Sequence, residues 1–136
     1  MIDHTGIHVS DLGRSKTFYT QVLATLGHGI RLELPDAVGF GSSSPASGDD
    51  PGGGFWITLA PPFVPRSHVA FRAQDAAQVR AFHQAALQAG GSDNGAPGPR
   101  PHYHAGYYAA FVLDPDGYNI EAVYHGAGDP AQVSTS

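Results

Sequence analysis

Two stretches of the chain carry the same hydrophobic pattern. Ile7 and Val9 alternate with His4, Gly6 and His8, and Val69 and Phe71 alternate with His68, Ala70 and Arg72. A period of two predicts a strand with one apolar face in each stretch. The period then lengthens. Leu12, Ser15, Phe18/Tyr19, Val22/Leu23 and Leu26 recur at helical spacing, as do Ala76, Val79, Phe82, Ala86 and Leu87. Asp11 and Asp75 are suited to cap the two helices at their N-termini, and Gly27 and Gly90 to the left-handed position that closes them. Further strands are expected at about His28–Leu34, Val38–Gly41 and Gly54–Ala60. The second half offers about Tyr107–Leu113 and Tyr118–His125, with an irregular stretch before them.

The two halves align at an offset of 64, which superimposes His4 on His68, Asp11 on Asp75 and Phe18 on Phe82. Each half is strand, helix, then two or three strands, an α+β unit, and two such units fill nearly the whole chain. Ser42–Gly54, rich in Gly, Ser and Pro, predicts a flexible loop, and Gly90–Pro101 a similar one stiffened by Pro97, Pro99 and Pro101. Asp114-Pro-Asp-Gly117 predicts a type I turn. The expected organisation is one domain over 1–126, with a first module at about 1–62 and a second at about 66–126. A patternless tail, 127–136, is expected to fray.

Composition narrows the function classes. The chain has 136 residues, of which 41% are hydrophobic and 14% charged, values of a folded domain rather than a disordered one. It has no cysteine, which excludes disulfides, a thiol nucleophile and iron–sulfur ligation. A net charge of −5 disfavours a nucleic-acid partner. No basic leader and no apolar run approaching about 18 residues is visible, so no membrane association and a cytoplasmic location are expected. The histidine count, 8, is high.

Strand alternation indicates where the histidines go. His4 shares a face with Gly6 and His8, and His68 with Ala70 and Arg72, away from the greasy faces. In the last strand Glu121 is the candidate carboxylate. Subtracting the repeat length from 121 lands on Ile57 or Thr58, and Thr58 fits the alternation better. The repeat therefore suggests four related positions, His4, Thr58, His68 and Glu121. Two imidazoles and a carboxylate suit one divalent ion per site (iron, manganese, nickel, cobalt or zinc), and three protein ligands leave positions open for chemistry. The other reading makes the histidines half-buried strand residues bonded to backbone and Glu121 a solvated carboxylate.

Arg100, His102, Tyr103, His104, Tyr107 and Tyr108 form the densest polar-aromatic cluster. Tyr107 is a candidate donor to a substrate oxyanion, and His102 and His104 are candidate acid/base groups; alternatively the aromatics pack on the sheet and the histidines face water. Trp56, Thr58, Tyr103 and Phe111 are candidates to line a substrate pocket. His28, just after a helix end, is placed where the dipole favours an imidazolium.

Three segments resemble the vicinal oxygen chelate superfamily, the glyoxalase, bleomycin-resistance and extradiol-dioxygenase group. They are Asp3-His4-x4-Val9-x-Asp11-Leu12-x-Arg14-Ser15-x2-Phe18-Tyr19, Ser67-His68-Val69-Ala70-Phe71, and Phe111-x-Leu113-Asp114-Pro-Asp-Gly117-x3-Glu121. The resemblance implies two βαβββ modules forming a cupped mixed sheet, a metal on His4, His68 and Glu121, a small-molecule substrate, and a homodimer with sites shared between chains. It implies metal-dependent chemistry of lyase, isomerase or dioxygenase type, or alternatively metal-free ligand sequestration of the bleomycin-resistance type. Glyoxalase I carries a fourth, carboxylate ligand where Thr58 is expected to stand, so the resemblance does not extend to that enzyme.

Overall fold

Asp11 and Asp75 each end a strand and start a helix. Both backbones are extended, and their carboxylates accept from the N–H of Arg14 (3.1 Å) and Gln78 (2.7 Å). Each cap satisfies a donor the first helical turn would leave unpaired, worth about 1 kcal/mol. In the computed structural model, which describes residues 1–126, strand β1 (Thr5–Val9) leads into helix α1 (Leu12–Ala24), and β5 (His68–Arg72) into α2 (Ala76–Gln88). The expected tail, 127–136, lies outside the described residues. Gly90, at φ +101°, follows Ala89, the C-cap of α2, and Gly27 stands at φ +81° just beyond α1.

Each helix is followed by three strands: β2 (His28–Leu34), β3 (Ala37–Ser42) and β4 (Phe55–Leu59), then β6 (Ser92–Pro99), β7 (Tyr107–Leu113) and β8 (Asn119–His125). The sheets have the orders β1-β4-β3-β2 and β5-β8-β7-β6. In each, the first and last strands of the module pair in parallel and the rest antiparallel. This is the expected α+β arrangement of two βαβββ modules. Ile7, Val9, Phe40 and Ile57 of one sheet and Val112, Ile120 and Ala122 of the other join Phe18, Val22, Val79 and Phe82 of the helices in one buried core.

The turn at Asp114–Gly117 joins the modules. It closes through Gly117 N–H to the Asp114 carbonyl (2.9 Å). Asp114, 5% exposed, accepts from the N–H groups of Asp116 and Tyr118 on one oxygen and from the Tyr19 hydroxyl (2.5 Å) on the other. Burial raises the Asp114 carboxyl above its ordinary range and holds the Tyr19 phenol well above its own. Next along the turn, Asp116 accepts from the hydroxyl and N–H of Ser10. The buried Tyr118 donates to the His8 carbonyl (2.6 Å) and accepts from Phe63 N–H (2.8 Å). The Asp-Pro-Asp-Gly run therefore fastens the second module to the start of α1.

Two expectations are corrected. Residues 92–99 form a strand rather than a loop. The segment runs along an edge and pairs only with β7, with register shifts around Gly95. An edge strand tolerates glycine and proline because one side of its backbone needs no partner. His28 is not placed as an imidazolium: burial lowers its pKa below the ordinary 6.5, and its Nδ1 is buried with no hydrogen-bond partner.

Candidate metal and substrate site

Alternation along β5 and β8 turns Val69, Phe71, Ile120 and Ala122 toward the helices, which leaves His68 and Glu121 on the opposite face. There His68 Nε2 lies 3.0 Å from Glu121 Oε1. Glu121 is 3% exposed, while the His68 side chain is 46% exposed. His68 Nδ1 donates to the Asn119 carbonyl (2.9 Å), since a carbonyl can only accept. The proton on Nδ1 leaves Nε2 as a lone pair facing a carboxylate oxygen. That gap must hold either a proton or a cation.

The second Glu121 oxygen accepts from the Tyr107 hydroxyl. Burial and this contact raise the Tyr107 phenol well above its ordinary value of 10.0, so it remains a donor near neutral pH. Phe111 pairs with Glu121 across the β7–β8 ladder, and its ring lies 6.3 Å from that of His68. The Arg100 guanidinium sits 5.5 Å above the Phe111 ring. Arg100, Tyr103, Phe111 and Asn119 help line an open recess of about 400 Å³.

His4 is elsewhere. Its Nδ1 is 2.7 Å from Asp3 and 3.4 Å from Asp50. The hydrogen bond to Asp3, with the charge of Asp50 behind it, raises its pKa above 6.5. Among the described residues, Asp3, His4 and Asp50 are the one group of three His or carboxylate donors close enough to share an ion. A cavity of about 450 Å³ opens beside them, lined by Asp3, Asp50, His28, Arg31, Phe55 and Phe71 among others. Within one chain, then, His68, Glu121 and Tyr107 come together and His4 stands apart from them.

The strand register corrects the repeat arithmetic. Glu121 pairs with Ala70, two residues past His68; Trp56 pairs with Gly6, two residues past His4. The counterpart of Glu121 is therefore Trp56, not Thr58, which pairs with His8. The Trp56 indole lies against Gly39 and Gly52, where a Cβ would come within 2.7 Å of it. Glycine at both positions makes room for the ring, so the Gly52–Gly54 run clamps the indole rather than serving only as a flexible link. Trp56 and Thr58 are half-buried and line neither cavity.

The turn before β7 carries the remaining candidates. Tyr103 packs edge-on against Tyr107 at 4.9 Å, and His102 packs on Tyr103 at 4.3 Å. His104 reaches His125, with Nε2 3.1 Å from Nδ1, and both imidazoles meet the Tyr107 ring. His125, four residues beyond Glu121 on the same strand face, is brought to this cluster by its pairing with Tyr107 across the hairpin.

The profile of the glyoxalase/bleomycin resistance protein/dioxygenase superfamily matches residues 1–122. No curated protein matches significantly. A glyoxalase/bleomycin resistance protein from Albidiferax ferrireducens is 30% identical, with 91% of this chain and 98% of that one aligned at a TM-score of 0.73. A glyoxalase-related enzyme from Fulvimarina pelagi is similar in fold at 18% identity, over 94% of each chain, with a TM-score of 0.67. A lactoylglutathione lyase from Agrobacterium tumefaciens aligns at 20% identity over 91% of this chain and 92% of its own, with a TM-score of 0.63. The matched span and the shared two-module architecture place the chain in the glyoxalase/bleomycin resistance protein/dioxygenase superfamily.

Proposed function

We propose that the protein is a metal-dependent enzyme acting on a small oxygen-rich metabolite whose neighbouring oxygens chelate a divalent ion. The observation that carries this reading is His68 Nε2 turned toward Glu121 Oε1 at 3.0 Å, with Nδ1 donating to the Asn119 carbonyl. Metal–ligand bonds of about 2.0–2.2 Å separate two adjacent ligand atoms by about 3 Å, so the donor pair fits an ion of the iron, manganese, nickel, cobalt or zinc class. When bound, such a metal supplies Lewis acidity to a developing oxyanion, the basis of lyase, isomerase or dioxygenase chemistry.

The chain's own residues have separate roles in this reading. Asn119 fixes the His68 tautomer, and Tyr107 fixes the Glu121 carboxylate while keeping its own proton. Phe111 and Tyr103 line the recess. His102 and His104, packed on Tyr103 and Tyr107, are the acid/base groups toward a substrate in this reading. His4 is the third ligand, supplied by a second copy of the chain. Two features support that assignment: His4 stands apart from the other two ligands, and β1 and β5 each have one hydrogen-bonded neighbour in the chain. Modules 1–62 and 66–126 form a single folding unit, which dimerises to complete the site. Trp56 from the second copy then faces the metal in place of a fourth carboxylate.

A second reading is a metal-free binder in which Asp3 and Asp50, lining the cavity of about 450 Å³, sequester a cationic ligand. Elemental mass spectrometry of the untagged protein separates the two. With His125 replaced by alanine, so that no ion is held by the His104–His125 pair, near one transition metal per chain, lost on adding His68→Ala or Glu121→Gln, supports the enzyme. No metal after supplying each candidate ion refutes it.

A further inference from the structure

Other histidines have visible engagements: His8 packs on Phe63, His83 bonds Asp93, and His28 is half-buried. His104 and His125 bond chiefly to each other. His125 ends β8, held opposite Tyr107 by the strand ladder. His104 sits in a turn closed by Tyr103 N–H to the Arg100 carbonyl and by Tyr107 N–H to the His104 carbonyl. The Tyr107 ring meets both imidazoles nearly edge-on, at 5.1 and 5.4 Å between centroids, and supports them from behind. Backbone and packing therefore fix both rings.

The donor chemistry of the pair is specific. His104 Nδ1 donates to the Ala105 carbonyl (2.8 Å), which leaves Nε2 as a lone pair. Imidazoles that ligate metals characteristically donate their outer N–H to a carbonyl in this way. That bare nitrogen lies 3.1 Å from His125 Nδ1. Metal–nitrogen bonds of about 2.0–2.1 Å place two neighbouring imidazole nitrogens about 2.9–3.4 Å apart, depending on the bond angle. Moving the His125 proton from Nδ1 to Nε2 turns the hydrogen-bonded pair into a chelating one. His102, on the same turn, packs instead on Tyr103, so the protein supplies two donors and leaves the other positions of the ion to water.

We propose that His104 and His125 form a second cation site at the end of the β7–β8 hairpin, selective for borderline divalent ions such as zinc, nickel or copper. An all-imidazole donor pair disfavours the hard ions magnesium and calcium. The site shares no ligand with His68 and Glu121, so its metal binding is tested separately from theirs; an ion on His104 Nε2 takes the place of the acid/base role given to that residue above. The same Tyr107 that supports the pair also bonds Glu121, so one side chain lies between the two sites.

The test is a zinc titration of metal-stripped His4→Ala/Glu121→Gln protein, a background lacking the other two donor groups. One zinc per chain is expected, weakened at least about tenfold by His104→Ala and by His125→Ala. In ¹⁵N-detected imidazole spectra, zinc should shift His104 Nε2 and His125 Nδ1. A background protein that binds no zinc overturns the proposal. So does binding that both alanine variants leave unchanged.

Discussion

Tyr107→Phe isolates one atom of the site. The phenyl ring retains the packing of Tyr107 against Tyr103, His104 and His125. What disappears is the hydroxyl that donates to Glu121. A hydrogen bond to a charged group is worth about 1.5–3 kcal/mol. Glu121 is 3% exposed, so water has little room to replace the lost donor. The loss for the metal-free protein should therefore be near 2 kcal/mol, a fall of roughly 6–10 °C in Tm for a chain of this length. Loss of a group that orients a ligand should also weaken metal binding about 10–100-fold. Urea denaturation measures the first effect and a competitive chelator titration the second. A variant as stable as the parent that binds metal equally well would refute the role assigned to the hydroxyl.

Two predictions concern other parts of the fold. Burial lowers the pKa of His28 below 6.5, so the unfolded chain binds a proton that the folded chain resists. Its contribution to stability is therefore present above that value and lost as pH falls through the lowered folded pKa; His28→Gln should flatten the fall in urea midpoint between about pH 7 and pH 5, and parallel curves would contradict it. Gly39→Ala pushes a methyl into the Trp56 indole and the Gly52 carbonyl. The cost should be about 1–3 kcal/mol, with a shifted emission maximum from the lone tryptophan, and an unchanged spectrum would show that the clamp does not exist.

Much of the architecture was legible because each module repeats strong local signals. The two aspartate caps and the switch from period two to helical spacing located β1, α1, β5 and α2. The apolar runs gave β2 and β7 their full observed bounds. Strand β6 was missed because its glycines and prolines mimic a loop, and only its edge position makes them tolerable. The Thr58 assignment failed for a related reason. A sequence offset holds through a first strand and helix without insertions. It does not carry across a 43–54 loop on one side and the tight Asp114–Gly117 turn on the other. Pairing with β1 shows that Trp56 holds the position. The closeness of His68, Tyr107 and Glu121 follows from alternation on three neighbouring strands, so those residues could be proposed from sequence. The separation of His4 from them could not, because it depends on how whole modules are placed.

The central claim is that one metal site takes His68 and Glu121 from one chain and His4 from another. Its most direct test is the metal content of a purified heterodimer of His4→Ala and Glu121→Gln chains. The first chain keeps His68 and Glu121, and the second keeps His4, so a shared arrangement rebuilds one of two sites. With His125→Ala in every chain, so that no ion is held by the His104–His125 pair, the account predicts half the metal per chain of the parent protein in the heterodimer, and none in either variant homodimer. A heterodimer as empty as the two homodimers, beside a fully loaded parent, would contradict it.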